Sequence, residues 1–314
     1  MEIHNDISSF KARNPVVTIG TFDGVHLGHQ QVISRLKDIS RDYDGESVIF
    51  TFSPHPRLVV SPEETNLRLL TTLEEKKALF ARSGIDHLII FPFTKAFSQL
   101  SYSEFVEDIL VKKLHTHCLV VGYDHRFGKN REGGYGYLQQ CAERLGFKIE
   151  KLEALSVCND HVSSTRIRDA LEEGSIERAN QLLGYTFTLH GTVVEGKRVG
   201  RKIGFPTANI VASDPNKIIP GYGVYAVEVK FNGKQLRGML NIGTRPTFNK
   251  NADNRSIEVH IFDFSDDIYN EEITLVFAGK IRDEKKFSGA EALIEQLRKD
   301  QLTAIEILSE KKSL

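Results

Sequence analysis

Two stretches of this chain place glycines, hydroxyls and cations at spacings suited to a polyphosphate. The first is Gly20-Thr21-Phe22-Asp23-Gly24-Val25-His26-Leu27-Gly28-His29. An apolar run, Val16–Gly20, leads into it, and a helical pattern near Gln30–Ser40 follows. In an open α/β sheet such a loop lies beyond the strand's carboxyl end, where ligands bind. Gly20, Gly24 and Gly28 let the backbone come close to a ligand. His26 and His29, three apart at a helix start, can both face phosphates, and the helix-end amides add positive potential. Taken alone, the stretch is equally a glycine-rich turn with two exposed histidines. Zinc needs more ligands than two histidines, and no Cys or Glu stands at a suitable spacing.

Two further segments belong with this loop. Thr51-Phe52-Ser53-Pro54-His55-Pro56 ends the second predicted strand, and Ser163-Ser164-Thr165-Arg166-Ile167-Arg168 opens a helix. Hydroxyls and free amides at a helix start hold phosphate, and Arg adds a forked donor. Between them lies a polar, glycine-bearing loop, Gly122-Tyr123-Asp124-His125-Arg126-Phe127-Gly128. Each of these segments, alone, also reads as an ordinary cap or solvated turn.

The second stretch runs from Gly191 to Asn209. Gly196, Gly200 and Gly204 interleave with Lys197, Arg198, Arg201 and Lys202. It lacks the Gly-Lys-Ser/Thr spacing of a P-loop. Its amides and cations can nevertheless wrap a polyphosphate. Thr207 and Asn209 share a face if the segment is extended, and their oxygens suit a Mg²⁺ shell. Downstream, alternation in Ser256–Phe262 puts Glu258 and His260 opposite Ile257, Val259 and Ile261. A kinase acting on a hydroxyl benefits from a carboxylate that accepts the proton, and Glu258 is the candidate. A basic hairpin and a solvated edge strand are the plainer readings of the same residues.

The elements that must position these groups change character along the chain. Strand patterns at Val16–Gly20, Ser47–Phe52, His87–Phe91, Cys118–Val121 and Lys148–Leu152 alternate with helical ones at Leu73–Arg82, Ser101–Leu114 and Tyr137–Leu145. That alternation predicts βαβ units and a parallel sheet. A helix over Leu171–Leu183 should end at Gly184, the residue type favoured after a helix. Beyond it, Phe187–Val194, Val224–Phe231, Gln235–Asn241, Ile257–Phe264 and Ile273–Phe277 read as strands, with Asn232-Gly233 as a hairpin turn. Gly289–Ser309 closes the chain as a helix. Residues 1–184 are therefore expected to form one domain and 185–314 a second, a β-barrel or sandwich.

The motifs also carry a resemblance. The His-x-Gly-His arrangement on a strand–loop–helix resembles the nucleotidylyltransferase superfamily. Thr21–His29, Ser53–Pro56, Gly122–Gly128 and Ser163–Arg168, in that order, resemble the FAD synthetase module of bacterial bifunctional riboflavin kinase/FMN adenylyltransferases. His125 stands where that family usually carries Phe. Pro206-Thr207-Ala208-Asn209, Gly223-Val224-Tyr225, Asn241–Phe248, Glu258-Val259-His260 and Arg282–Phe287 resemble the riboflavin kinase family. The resemblance implies a Rossmann-like nucleotidylyltransferase domain followed by a small β-barrel kinase with a C-terminal helix. It implies riboflavin, FMN, FAD and ATP as substrates and products, with Mg²⁺. It assigns Gly20, Phe22, Asp23, Gly24, His26, His29, Ser164, Thr165 and Arg168 to ATP in the first module, His26 and His29 being catalytic. It assigns Gly196, Lys197, Gly204, Thr207 and Asn209 to ATP in the second, Thr207 and Asn209 to Mg²⁺, and Glu258 to the riboflavin hydroxyl. It brings Ser53, Pro54, His55, Asp124, Arg126, Phe127 and Arg282 to the flavins.

Composition narrows the classes. The chain has 314 residues, with 41 Lys plus Arg against 42 Asp plus Glu, a formal net charge of -1. That balance argues against nonspecific nucleic-acid binding. Cys118, Cys141 and Cys158 match no zinc pattern, and an odd count does not suit a disulfide framework. The stretch Met1–Pro15 is polar, without an apolar signal core, and no apolar run is long enough to span a membrane. These features lead us to expect a cytoplasmic protein.

Overall fold

A computed structural model of the chain describes residues 1–61, 67–122, 128, 133–153, 156–157, 160–196, 199–244 and 255–310. For Ser156, Val157, Asp160, Val199 and Lys202 it describes the backbone alone. The chain divides into two compact units, Met1–Ser164 and Thr165–Leu314.

The first unit is built on six parallel strands. These are β1 (Glu2–His4), β2 (Val16–Ile19), β3 (Ser47–Ser53), β4 (His87–Pro92), β5 (Cys118–Val121) and β6 (Lys148–Lys151), in the order β1-β4-β3-β2-β5-β6. β2 and β5 are buried at every position, as expected of central parallel strands covered on both faces. Alternate residues feed two separate cores. Val17, Ile19, Val48, Phe50, Leu119 and Val121 point to one, which holds Phe105, Val106 and Leu138 from the covering helices. Val16, Ile49, Leu88, Ile90 and Val120 point to the other, which holds Ile33, Leu36, Ile39 and Phe80. A two-stranded ribbon, β7 (Ser156–Val157) with β8 (Asp160–His161), follows β6.

The second unit is a closed antiparallel barrel. Its strands are β9 (Thr188–Val194), β10 (Ala208–Ala212), β11 (Gly223–Phe231), β12 (Lys234–Thr244), β13 (Arg255–Ile261) and β14 (Glu272–Arg282), in the order β10-β13-β12-β11-β14-β9, with β9 pairing β10 to close the ring. The β11–β12 turn has Asn232 at φ 45° and Gly233 at φ 74°, the left-handed pair of a type I′ hairpin. The helix Ala290–Glu310 lays Ala304 and Leu308 over Ala226, Met239 and Ala278. The fold is thus the expected parallel α/β unit followed by a β-barrel with a terminal helix.

Two local expectations are corrected. The helix foreseen over Leu171–Leu183 is two, Ser164–Glu172 and Ile176–Leu183. Gly174 between them has φ 77°, and a Cβ there would press on the Tyr225 hydroxyl and Lys280 Nζ. The break is therefore set by packing on the barrel. Ser101–Leu114 begins with the capping box of Ser101 and Glu104, but continues as a π-helix over Phe105–Lys113. The polar N-terminal stretch also contributes β1 at the sheet edge, an element that the sequence pattern does not predict.

Candidate active sites

In the first unit the strand β2 delivers the chain to Gly20, and the loop turns back into the helix Leu27–Asp42. The turn is tight. Phe22, Gly24 and Val25 all take positive φ, at 49°, 86° and 37°. For a β-branched residue such as Val25 that conformation is unfavourable and must be held by its surroundings. Buried groups hold it. The Asp23 carboxylate, 2% exposed, accepts from the amides of Leu70 and Thr71 at 3.0 and 3.1 Å. Gly24 N donates to Thr71 Oγ1 at 3.0 Å, and Gln30 Nε2 to the Val25 carbonyl. Lys76 Nζ and Thr51 Oγ1 both donate to the Thr21 carbonyl, at 2.8 and 3.3 Å. Asp23 therefore shapes the loop with its side chain.

His26 caps the helix, its Nδ1 accepting from His29 N. The two imidazoles stack with centroids 3.6 Å apart, and Phe22 meets the His29 ring edge-on. His29 Nδ1 is sealed from solvent with no hydrogen-bond partner among the described residues. Burial above all, then the neighbouring His26 and Lys76, holds the His29 imidazole well below its ordinary pKa. Burial likewise lowers Lys76, against the opposing pull of Asp23. The site at rest is thus a pair of stacked imidazoles, His29 uncharged, and one buried amine under a strained loop.

Ser164 joins this loop directly, its Oγ donating to the Asp23 carbonyl at 3.0 Å. A Cβ on Gly28 would stand 3.3 Å from the His26 ring and 3.7 Å from the Val162 carbonyl, so the loop and this strand end are in close register. Thr165 is exposed and Arg168 half-buried, on the helix that Ser164 opens. Ser53 ends β3, beside β2, and His55 caps the short helix Pro56–Val60 by accepting from Arg57 N. Asp124, Arg126 and Phe127, with His125, lie outside the described residues.

In the barrel, Thr207 Oγ1 donates to Glu258 Oε2 at 3.4 Å. Asn209 on β10 is the register partner of Glu258 on β13, and Glu258 is in turn the partner of Asn241 on β12. Three oxygen-bearing side chains therefore lie abreast on neighbouring strands, opposite the buried Ile257, Val259 and Ile261. His260 Nδ1 donates to the Pro206 carbonyl at 2.7 Å, fixing the approach to Thr207. Gly196 faces Asn209 so closely that a Cβ would collide with its amide. Gly204, at φ 80°, ends the short helix Val199–Lys202. Lys197 lies outside the described residues. Arg282 is anchored to the terminal helix. Its Nε and Nη2 reach the carboxylate of Asp300 at 2.7–3.0 Å, and Asp300 is 1% exposed.

Comparison with known proteins turns this geometry into a family. The family model described as FAD synthetase matches residues 9–166, and that described as riboflavin kinase matches residues 183–308. A protein of Listeria monocytogenes named bifunctional riboflavin kinase/FMN adenylyltransferase is 43% identical over 92% of this chain and 90% of its own. The Escherichia coli K12 protein of the same name is 38% identical over 97% and 96%. The chain belongs to the bifunctional riboflavin kinase/FMN adenylyltransferase family. A solved Streptococcus pneumoniae chain described as a macrolide-efflux protein shares the fold of this family member, with TM-score 0.86 and 28% identity over 96% of this chain and 98% of that one. Among the described residues here, no helix is long and apolar enough to cross a membrane.

Within the family's first module, motif reading alone missed Thr71 and Lys76, which hold the loop from 47 and 55 residues away in sequence. It also missed the half-buried aromatic group beside Ser53. Phe52, Phe93 and Phe97 meet with centroids 5.4–5.8 Å apart. In the second module it quoted Asn241 without giving it a role. Its place level with Glu258 emerges only from strand register.

Proposed function

We propose that this chain makes FMN from riboflavin in the barrel and FAD from that FMN in the sheet unit, consuming ATP in each step. The reading rests above all on Glu258 beside Thr207 and abreast of Asn209. It assigns residues 1–184 to FMN adenylyl transfer and 185–314 to the kinase.

In the kinase step Glu258 takes the proton of the riboflavin 5′-hydroxyl as that oxygen attacks the γ-phosphorus of ATP, and ADP leaves. Thr207 and Asn209 offer neutral oxygens close to a carboxylate, a hard donor set that fits Mg²⁺. When bound there, Mg²⁺ supplies neutralisation of charge on the transferring phosphoryl group. Gly196 and Gly204 bring backbone amides to the phosphates, with Lys197 as their cation. Arg282 acts through Asp300, positioning the barrel's last strand against the terminal helix.

In the adenylyl step an FMN phosphate oxygen attacks the α-phosphorus of ATP and pyrophosphate leaves. That nucleophile is already anionic near neutral pH, so no base is required. The work is positioning and charge stabilisation. His26, His29, Ser164, Thr165 and Arg168 take the phosphates, with Gly20, Phe22 and Gly24 giving the close backbone. Ser53, Pro54 and His55, with the rings of Phe52, Phe93 and Phe97, offer a flat apolar edge to the isoalloxazine. Asp124, Arg126 and Phe127 complete the flavin contacts.

The partners are small molecules, with no nucleic acid. The cytoplasm is the compartment that suits free, buried Cys118 and Cys141. Incubating the purified chain with riboflavin, ATP and Mg²⁺ and separating the flavins tests the reading. FMN should appear first and FAD after it. Absence of either product in folded protein overturns it.

A further inference from the structure

At the amino-terminal end of the parallel sheet, away from the Thr21–His29 loop, two imidazoles and a carboxylate converge. Glu2 on β1 is the register partner of His87 on β4, and His4 follows two residues on, on the same face. His4 Nε2 lies 3.1 Å from His87 Nδ1. Glu2 Oε2 lies 3.9 Å from the first and 3.7 Å from the second. Among the described residues this is the one place where three groups able to ligate a metal come so close.

We propose that Glu2, His4 and His87 form a binding site for a zinc-class divalent cation that clasps the N-terminal strand to the sheet edge. The spacing fits the ion. In a triangle with sides of 3.1, 3.7 and 3.9 Å the equidistant point lies about 2.1 Å from each corner, within the range of zinc–nitrogen and zinc–oxygen bonds. Without a cation the facing nitrogens share one proton in a single N–H···N hydrogen bond, and a cation between them would take both lone pairs instead. Phe10 packs edge-on against both rings, with centroids 5.0 and 5.5 Å away, and fixes their aim.

The surroundings supply the outer partner that ligating histidines use. His87 is 7% exposed, and its Nε2 has no hydrogen-bond partner among the described residues. The carboxylate nearest to it is Glu46 Oε2 at 3.5 Å, itself held by Arg13 N at 2.6 Å. A small closure of that gap gives a carboxylate–histidine–metal chain, placing the proton on Nε2 and the lone pair of Nδ1 on the ion. Exposed Glu2 leaves room for water at the fourth position. Two imidazoles select zinc, nickel or cobalt over magnesium, which prefers oxygen. The site is therefore distinct in chemistry from the Mg²⁺ assigned to the kinase. Its role is mechanical, because β1 is only three residues long and otherwise held on one side.

The test uses the full-length, untagged chain after chelator treatment, titrated calorimetrically with Zn²⁺ in excess Mg²⁺. Co²⁺ absorption serves as a second readout. One binding event should be lost in His4→Ala and in His87→Ala, and weakened roughly 10–100-fold in Glu46→Gln. Amide exchange at Glu2–His4 should slow when Zn²⁺ is present. FMN and FAD formation by His4→Ala with Mg²⁺ should match wild type. Should His87→Ala fail to fold, His4→Ala and Glu2→Gln decide, since both lie on the short edge strand. Wild-type Zn²⁺ affinity in those two variants, or no event in wild type, overturns the proposal.

Discussion

Asp23 in the sheet unit and Glu258 in the barrel are both carboxylates beside a glycine-bearing loop, yet the fold uses them in opposite ways. Asp23 is 2% exposed and surrounded by backbone donors from Leu70 and Thr71. It cannot take a proton from a substrate without releasing the loop that it shapes. Glu258 is half-buried and, among the described residues, keeps only a long bond from Thr207, at 3.4 Å. The difference matches the two nucleophiles. A phosphate oxygen arrives charged, so its site needs cations and amides. An alcohol arrives with a proton, so its site needs an available base. The sharpest test of the contrast is Glu258→Gln. It should lower riboflavin phosphorylation by about 10²–10⁴-fold while FMN added directly is still converted to FAD. Loss of both reactions in folded protein breaks the division.

The cations differ too. Arg282 in the barrel is locked to Asp300, which is 1% exposed. Removing either partner takes away the other's counter-charge and leaves it weaker bonds, Asp300 to Gln296 Nε2 and Arg282 to the Asp283 carbonyl, at a cost of at most about 3–5 kcal/mol. Arg282→Ala and Asp300→Ala should therefore lower the melting temperature similarly. A rise in riboflavin KM confined to Arg282→Ala would instead return that guanidinium to the flavin. In the sheet unit the groups poised for anion are His26 and His29. His29→Ala should reduce FAD formation by roughly 10²–10³-fold, the scale of one lost transition-state donor. FMN should then accumulate from riboflavin at the wild-type rate, the mirror image of Glu258→Gln.

Much of this contrast is legible in the chain itself, for reasons that also mark its limits. Central parallel strands such as Val16–Ile19 and Cys118–Val121 are continuous apolar runs because both faces are covered. The barrel strands alternate because one face is. Asn232-Gly233 announces its hairpin through the backbone freedom of its residues. Glu2–His4 escapes notice because a three-residue polar strand has no pattern, only a partner 85 residues away. The shift to a π-helix at Phe105 leaves no mark in spacing that an α-helix would not share. The role of Asp23 depends on amides 47 residues distant, and that of Asn241 on barrel register. Motif reading names residues that meet ligand. It does not reach those that meet one another.

His29 also separates the two sites by pH. Its folded-state pKa is held well below the ordinary 6.5, first by burial and then by His26 and Lys76. The unfolded chain therefore binds more protons than the folded one between that depressed value and about 6.5. Stability contributed by the neutral ring is present above about 6.5 and is lost as pH falls toward the folded value. ATP should oppose this, because phosphate charge beside the ring favours the imidazolium. Melting temperatures of the wild type should fall on acidification below about pH 6.5, and saturating ATP should flatten that limb. His29→Asn should flatten it without ATP. Calorimetry of ATP binding to the Glu258→Gln variant, in buffers of different ionisation enthalpy near pH 6, should show net proton uptake. The same slope in His29→Asn as in wild type would place the titration elsewhere and leave the adenylyl site with no histidine poised to charge on ligand arrival.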